Sequence, residues 1–244
     1  MKNLKKWIIN ADDFGYSKGV NYGIIEAHQQ GIVTSATLMA NMPGTTHAAA
    51  LAKDNPNLGV GVHLVLTIGK PLSEDVPSLI DENGHFLRYN ELVNNAQPTD
   101  VEKEWTAQIE YCLSLGIKPT HFDSHHHVHQ HPNIYPVVEK LAKKYQVPIR
   151  FVPDGKKEIQ PVPFLCTDFY GDHLTVEHTI TLFQQLLKQD VVEIMTHPAF
   201  IDYELMTGSS YHLERPKELM ILTHPKIQEF INNNNLQLVH FGNL

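Results

Sequence analysis

The regular alternation of strand-like and helix-like segments constrains the fold of this chain most. The apolar segment Trp7–Asn10 is followed by a helical stretch over 20–30, and Gly59–Leu66 is a later segment rich in β-branched residues. Parallel strands need crossover connections, usually helices, so this order predicts a parallel sheet with helices on its outside. We expect an α/β fold: one distorted (β/α) barrel domain over residues 1–244, with seven or eight mostly parallel strands. A doubly wound open sheet is the alternative.

The remaining segments continue the pattern, with one exception. The segment Thr67–Pro98 contains proline and glycine and few periodic features, which predicts an inserted loop; long loops of this kind are often functional lids. The other strand-like segments are Ser35–Asn41, Thr120–Asp123, Ile149–Val152, Phe164–Tyr170, Val191–Thr196 and Leu236–Phe241. The other helical segments are Thr45–Lys53, Asp100–Leu115, Ile134–Tyr145, Val176–Gln189 and Pro225–Asn233.

Charge and cysteine content exclude several classes of protein. The formal net charge is -8, without a block of Lys and Arg, so neither nucleic acid nor an anionic membrane is an expected partner. After the basic start, the apolar run Trp7–Ile9 is too short for a signal-peptide core, and no apolar stretch approaches a membrane span. Cys112 and Cys166 fall in segments that predict a helix and a strand, which indicates reduced packing residues. We therefore expect a cytoplasmic protein.

Histidine is abundant and unevenly placed. The chain has 16 histidines, and six of them lie between His121 and His131. Imidazole is a common ligand for divalent metals, and Asp123 in the same run can orient such a ligand through a hydrogen bond. The alternative is a surface loop enriched in histidine by accident. The spacing does not identify the ligand, because a catalytic metal site generally uses three protein groups.

Further polar side chains occur in or directly after the strand-like segments. Asp12 and Asp13 follow the first, His63 lies in the third, Arg150 in the fifth, and His197 follows the segment that ends at residue 196. Active sites of parallel β/α folds form at the carboxyl ends of the strands, so we expect these side chains to converge. Adjacent carboxylates cannot both point the same way. One can therefore bind a cation while the other acts as a base; capping of the next helix is the alternative for this pair.

Two further candidates, Arg150 and His197, need a partner or a role. A charge within an apolar strand requires a counter-charge, and Asp12 or Asp123 are the candidates for Arg150. His197 precedes a proline at a strand end, where it is a reasonable general acid or a plain loop residue. Sugar rings stack on aromatic side chains, for which the candidates are Trp105, Tyr170, Phe200, Tyr203 and Tyr211.

Four segments of this chain together resemble the YdjC-like carbohydrate deacetylases, which include chitooligosaccharide deacetylases. They are Asn10–Gly15 (NADDFG), Gly61–His63 (GVH), Asp123–His129 (DSHHHVH) and His197–Phe200 (HPAF). They occur in the expected order and span nearly the whole chain, which makes the combination far more specific than any single segment. The resemblance implies a distorted barrel related to the NodB-type polysaccharide deacetylases.

The resemblance also implies one divalent metal ion, held by the residues that match Asp13, His63 and His127. The family is usually credited with Mg²⁺. Two imidazoles and one carboxylate suit Zn²⁺, Mn²⁺ or Co²⁺ better on ligand chemistry, because Mg²⁺ prefers oxygen. Resemblance and ligand chemistry therefore favour different ions.

The implied reaction is metal-assisted hydrolysis of the N-acetyl group of an amino sugar. Asp12 matches the family's base. The NodB-type enzymes further imply His197 as the acid and Arg150 as the residue that orients Asp12. His125, in the histidine run, is our alternative candidate for the acid. The expected partner is a small acetylated oligosaccharide such as diacetylchitobiose, and Thr67–Pro98 is a candidate cleft wall or contact of a homodimer.

Two other functions stay open. One is a metal-dependent hydrolase of a phosphoester or cyclic amide, which usually assembles more carboxylate and histidine ligands around two metals. The other is a non-enzymatic metal-binding protein that uses the histidine run. Such a protein would not need Asp12, Asp13 and His63 at separate strand ends.

Overall fold

Seven parallel strands form one curled sheet in the computed structural model, which describes residues 4–244 and so omits the first residues of the basic start. The strands are β1 (Lys6–Phe14), β2 (Ser35–Leu38), β3 (Gly59–Leu64), β4 (Phe122–Ser124), β5 (Leu165–Cys166), β6 (Val191–Thr196) and β7 (Gln237–Leu238). Their order is β4-β3-β2-β1-β6-β5, and β7 pairs with the start of β1. The predicted α/β class and distorted parallel barrel are confirmed.

Helices connect these strands and cover the outside of the sheet. They are α1 (Lys18–Gln29), α2 (Thr45–Asp54), α3 (Tyr89–Asn95), α4 (Pro98–Ser114), α5 (Tyr135–Tyr145), α6 (Val176–Leu186), α7 (Tyr203–Gly208), α8 (Arg215–Leu222) and α9 (Pro225–Asn233). Among them α1 contacts α2 and α8, α4 contacts α5, and α6 contacts α9. Within residues 4–244, no helix combines the length and the apolar character that crossing a membrane requires.

Strand β1 shows how the sequence separates the two faces of the sheet. Trp7, Ile9 and Ala11 alternate on one face and belong to the main hydrophobic core, where Trp7 meets Phe183 of α6 edge to face at 5.1 Å. Ile8 points the other way. It belongs to a separate small cluster with Val162, Val239 and Phe241.

Beyond that small cluster, the inner face of the sheet becomes polar toward the carboxyl ends of the strands. Every strand is parallel, so these ends lie together on one side of the molecule. The strands β1, β2, β3, β4 and β6 each contribute at least one buried polar side chain; these include Asn10, Asp12, Thr37, His63, Asp123 and Glu193. The inner face of the sheet thus carries a cluster of polar side chains at the carboxyl ends of the strands, above the small hydrophobic cluster that contains Ile8.

Three strand predictions are corrected. Ile149–Val152 is not a strand, because Ile149 makes only an isolated bridge to Phe122. Phe164–Tyr170 shortens to β5, and Leu236–Phe241 shortens to β7. Prolines at 148, 153, 161 and 163 flank the first two segments, and proline lacks the N–H that a ladder needs. Helices α7 and α8 lie where no helix was predicted.

The segment Thr67–Pro98 has structure of its own. It contains a short 3₁₀ turn and helix α3. The buried Glu104 carboxylate of α4 accepts hydrogen bonds from the backbone N–H groups of Leu72 and Ser73 at 3.0 and 2.8 Å. The beginning of the segment is therefore fastened to α4.

Candidate metal centre and active site

A cavity of about 560 Å³ lies at the carboxyl ends of the strands. Six of the seven predicted site residues line it: Asp12, Asp13, His63, His125, His127 and His197. The seventh, Arg150, is fully buried beside Asp12. The expected convergence of these side chains is confirmed.

Strand β1 carries both aspartates, which corrects the prediction that they follow it. The pairing of β1 with β2 shifts register between Ala11 and Phe14, and Asp13 lies in the left-handed region with a φ of +66°. This irregularity turns the two adjacent carboxylates into different surroundings. Left-handed backbone at a non-glycine residue is strained, and such strain clusters at functional sites.

Asp13 faces two imidazoles and one guanidinium. Its Oδ1 lies 3.1 Å from Nδ1 of His125 and 3.4 Å from Nε2 of His63. Its Oδ2 accepts a hydrogen bond from Nη2 of Arg215 at 2.6 Å. Burial acts to raise the pKa of Asp13, but the charges of Arg215 and His125 outweigh it and hold the pKa well below its usual range. Asp13 is therefore ionised at neutral pH, as a metal ligand must be.

His63 is oriented by a second carboxylate. Its Nδ1 lies 2.7 Å from Oδ1 of Asp123, and Thr37 donates a hydrogen bond to Oδ2 of the same group at 3.0 Å. This leaves Nε2 directed at Asp13. Metal-ligating histidines are commonly oriented in this way, with a carboxylate on one ring nitrogen and the other nitrogen free for the metal. Burial acts to lower the pKa of His63, yet Asp123 raises it to about 10. A metal would therefore have to displace a proton from this ring.

The histidine run enters the cavity through a strained turn. His126 and His127 have φ angles of +55° and +53°, which break the 3₁₀ turn His125–Gln130. Asp13, His63 and His125 can offer ligand atoms that all lie within 4.8 Å of one another. His127 lies outside that group, although it lines the same cavity and its buried Nδ1 has no hydrogen-bond partner among residues 4–244. His127 stays a prediction for the third ligand, and His125 becomes a second candidate.

Two other histidines of the run serve the packing of the fold. Nδ1 of His129 lies 2.6 Å from the hydroxyl of Ser124, and burial keeps the pKa of His129 well below its usual value. The ring of His121 stacks on Phe241 at 3.8 Å. The histidine count thus overstates the number of candidate ligands.

Arg150 is held by three carboxylates. It pairs with both oxygens of Asp12 at 2.6 and 2.7 Å, with Asp123 at 3.0 Å and with Glu193 at 2.8 Å. Asp12 and Asp123, the two partners expected from the sequence, both pair with Arg150. Glu193 was missed, although a charge within the apolar strand VVEIMT was a signal for it.

This ion-pair cluster decides the state of Asp12. Burial acts to raise the pKa of Asp12, but the charge of Arg150 and its hydrogen bonds lower it. Asp12 is thus ionised at neutral pH. Asp12, His63 and Asp123 also lie close enough together to bind a metal, but the guanidinium of Arg150 already pairs with both carboxylates there. A cation therefore fits better beside Asp13.

His197 is attached to a buried carboxylate of α8. Its backbone N–H donates to Oε2 of Glu218 at 2.5 Å, and its Nδ1 lies 3.9 Å from Oε1. The Tyr211 hydroxyl donates to the same Oε1 at 2.6 Å. Burial lowers the pKa of His197 to about 4 and raises that of Glu218 to about 8. His197 is therefore neutral at pH 7 when the cavity holds no substrate.

No sequence pattern indicates Glu218 or Arg215. Both lie on α8, where charged residues are ordinary and no strand end marks them. Their contacts with His197 and Asp13 span 21 and 202 positions of the chain. Of the aromatic candidates, Tyr170 and Tyr211 line the cavity, whereas Trp105 is fully buried in the core.

Comparison with known proteins agrees with this geometry. The model of the YdjC-like protein family matches residues 6–233. A carbohydrate deacetylase of Geobacillus stearothermophilus is 53% identical over 235 residues, which cover 96% of each chain. The crystal structure of an Enterococcus faecalis V583 protein, described as a candidate cellobiose-phosphate cleavage protein, superposes with a TM-score of 0.94. That protein is 35% identical, and the match covers 98% of both chains.

More distant structures share the fold alone. A CE4 esterase of Streptococcus mutans superposes with a TM-score of 0.58 at 13% identity, over 97% of this chain and 86% of that one. This likeness agrees with the barrel type that the sequence predicts. The family match and the near relatives cover almost all of the chain, so this protein belongs to the YdjC-like family.

Proposed function

We propose that this protein is a carbohydrate deacetylase that depends on one divalent metal and removes N-acetyl groups from amino sugars, with chitooligosaccharides such as diacetylchitobiose as substrates. The observation that carries the proposal is the separation of two adjacent carboxylates in one cavity. Asp13 faces imidazoles at 3.1 and 3.4 Å, whereas Asp12 is paired with Arg150. The name of the Geobacillus stearothermophilus relative supports the same reaction.

The residues present fit a divalent cation. Asp13 is ionised, Nε2 of His63 is directed at it, and either His127 or His125 would complete the set. The bound ion would supply Lewis-acid chemistry, polarising the acetyl carbonyl and lowering the pKa of water. Two imidazoles leave Zn²⁺, Mn²⁺ and Co²⁺ as candidates beside the Mg²⁺ that the resemblance implies.

Asp12 is the proposed base. Arg150 keeps it ionised and holds both of its oxygens in place, so it can take the proton of the water that attacks the acetyl carbon. His197 is the proposed acid that protonates the departing nitrogen as the C–N bond breaks, giving acetate and a free amine. Because the pKa of His197 is about 4 in the ligand-free state, this role requires that bound substrate raise it.

The direct test is hydrolysis of diacetylchitobiose in the presence of each metal in turn, with acetate release followed by mass spectrometry. Activity with one or more of the ions is expected. Asp12→Asn should keep the metal and abolish turnover. Loss of the metal from this variant would mean that the roles of the two aspartates are exchanged.

The third ligand is decided by two parallel variants. His127→Ala and His125→Ala are purified and their bound metal is counted by mass spectrometry. The variant that loses both stoichiometric metal and turnover identifies the ligand, and full activity of His127→Ala would refute its role. Exposed His85 lies outside the cavity, so His85→Ala is the matched control.

Metal counting also tests the rival reactions. A two-metal phosphoesterase or amidohydrolase would bind two ions per chain, and a metal buffer would bind several weakly; one ion is expected for a deacetylase of this type. A single-domain chain, a cytoplasmic location and a homodimer remain predictions from the sequence. Sedimentation analysis of the purified protein tests the homodimer.

A further inference from the structure

The two carboxylate oxygens of Asp13 have different partners. Oδ1 lies 3.1 Å from Nδ1 of His125 and 3.4 Å from Nε2 of His63. Oδ2 instead accepts a hydrogen bond from Nη2 of Arg215 at 2.6 Å. A cation that binds where the carboxylate and the imidazoles converge would therefore meet Oδ1, because the guanidinium already occupies Oδ2.

Arg215 is itself held firmly in this position. It is the first residue of α8, and only 3% of its surface is exposed. Its Nε donates a hydrogen bond to the backbone carbonyl of Tyr211 at 2.8 Å, and its guanidinium lies 5.8 Å from the centre of the Tyr211 ring. The Nε and Nη2 hydrogen bonds fix the planar guanidinium at two points, so its contact with Oδ2 does not depend on a bound ion.

The number of carboxylate oxygens that an ion can reach influences which ion a site prefers. Ca²⁺ takes about six to eight oxygen ligands, and a carboxylate binds it with one oxygen or with both. Mg²⁺ and Mn²⁺ are satisfied by octahedral coordination, and Zn²⁺ usually takes about four ligands. A site that offers only one oxygen of its carboxylate is therefore shorter of ligands for Ca²⁺ than for these other ions.

We propose that Arg215 is a positioning residue that restricts Asp13 to ligation through one oxygen and so disfavours Ca²⁺ at the metal centre. The inference rests on the metal dependence of the proposed function and adds a residue that selects among divalent ions. Removing the guanidinium would free Oδ2 for a bound ion. Ca²⁺ would gain from this second oxygen, whereas an ion that needs fewer ligands would gain little.

The test is competition between Ca²⁺ and Mn²⁺ for the metal-free protein, with free Mn²⁺ followed by electron paramagnetic resonance. Both ions carry two charges, so loss of the Arg215 charge changes their affinities alike, and the ratio of the two dissociation constants reports the arrangement of ligands. In Arg215→Met the affinity for Ca²⁺ relative to Mn²⁺ should rise about tenfold or more, since Ca²⁺ no longer has to displace a charge-assisted hydrogen bond to reach Oδ2. Arg88 is exposed and lies outside the cavity, so Arg88→Met should keep the ratio of the unmodified protein.

Arg215→Lys provides a second measurement that does not depend on the stability of Arg215→Met. Lysine keeps the charge but replaces the fixed planar contact with one flexible ammonium group, so the same ratio should rise about two- to tenfold. Circular dichroism checks that each variant is folded. If Arg215→Met does not fold, the ratio in Arg215→Lys decides.

The outcomes separate this inference from the proposed function. Acetate release by the unmodified protein, together with an unchanged ratio in the deciding variant, would overturn the role of Arg215 and leave the deacetylase function intact. An equal loss of affinity for both ions is such an unchanged ratio, and it would mean that Arg215 only stabilises the site. Absence of bound metal in the unmodified protein would overturn the metal dependence and this inference with it.

Discussion

Replacing Arg150 with methionine should destabilise the protein more than any surface substitution, and by an amount that depends on pH. The guanidinium is fully buried and pairs with Asp12, Asp123 and Glu193 at distances of 2.6–3.0 Å. Methionine fills similar space without a charge. The variant would therefore leave buried carboxylates without their counter-charge.

The expected fall in the free energy of unfolding follows from the loss of this counter-charge. Removing one partner of a buried ion pair costs about 3–5 kcal/mol, because the remaining charge stays buried and unpaired. Three carboxylates lose their partner in this variant, but they can escape part of the cost by taking up protons. We therefore expect the free energy of unfolding at pH 8 to fall by about 3–5 kcal/mol, a large part of the stability of a typical domain.

The stability deficit of Arg150→Met should be larger at high pH than at low pH. In the unmodified protein Arg150 lowers the pKa values of Asp12 and Asp123, so their contribution to stability is present above their unfolded pKa and is lost only in acid. Without Arg150, burial raises both pKa values, and the folded variant then takes up protons more readily than its unfolded chain. The stability deficit of the variant should therefore shrink as the pH falls from 8 to 5.

The assay is urea unfolding of metal-free protein at pH 8, 6.5 and 5, followed by circular dichroism. Arg150→Lys keeps one charge but loses the paired contacts, and its stability should lie between those of the methionine variant and the unmodified protein. Arg88 is exposed, so Arg88→Met should change stability by less than about 0.5 kcal/mol. A deficit below about 1 kcal/mol in Arg150→Met, or one that does not vary with pH, would refute the role of Arg150 as the counter-charge of this cluster.

Three other perturbations test other parts of the molecule. Metal binding should weaken as the pH falls from 9 to 6 and should release protons, because the pKa of His63 is raised to about 10 and its proton must leave; calorimetry in buffers of different ionisation enthalpy measures this. Glu218→Ala should lower kcat more than it changes the amount of bound metal, since it removes the acceptor that holds the backbone of His197; steady-state kinetics and metal analysis check it. Gly23→Ala should destabilise the protein by about 1–3 kcal/mol in thermal unfolding, because the new Cβ would lie 2.4 Å from Cα of Ala199.

Site residues could be predicted from the sequence where a polar side chain interrupts or follows an apolar segment. Asp12, His63 and Arg150 each interrupt or follow an apolar segment, and parallel strands bring such positions to one edge. Their convergence could therefore be predicted without coordinates. The partner of Arg150 could also be named, because a buried guanidinium needs a carboxylate.

Backbone geometry and helix-borne partners could not be predicted in this way. The left-handed φ angles of Asp13, His126 and His127 occur without glycine, so no residue marks the turns that decide which imidazole approaches Asp13. Arg215 and Glu218 reach the site from α8, where a charged residue is the expected surface type. Spacing alone therefore could not distinguish His125 from His127 as the ligand.

Charge balance connects the metal-free cluster with the proposed chemistry. Glu193 and Glu218 have pKa values raised by burial to about 7 and 8, so both are at least partly protonated at neutral pH, whereas the three buried aspartates stay ionised. Three aspartates against Arg150 and Arg215 leave one negative charge, and the proton on His63 balances it. A divalent cation that replaces this proton would make the cluster more positive by one charge. The added positive charge would stabilise the negative charge that develops on the acetyl oxygen during hydrolysis. The carboxylates that hold the proton on His63 in the metal-free protein are therefore the same groups that would prepare the site for catalysis by holding the metal ion.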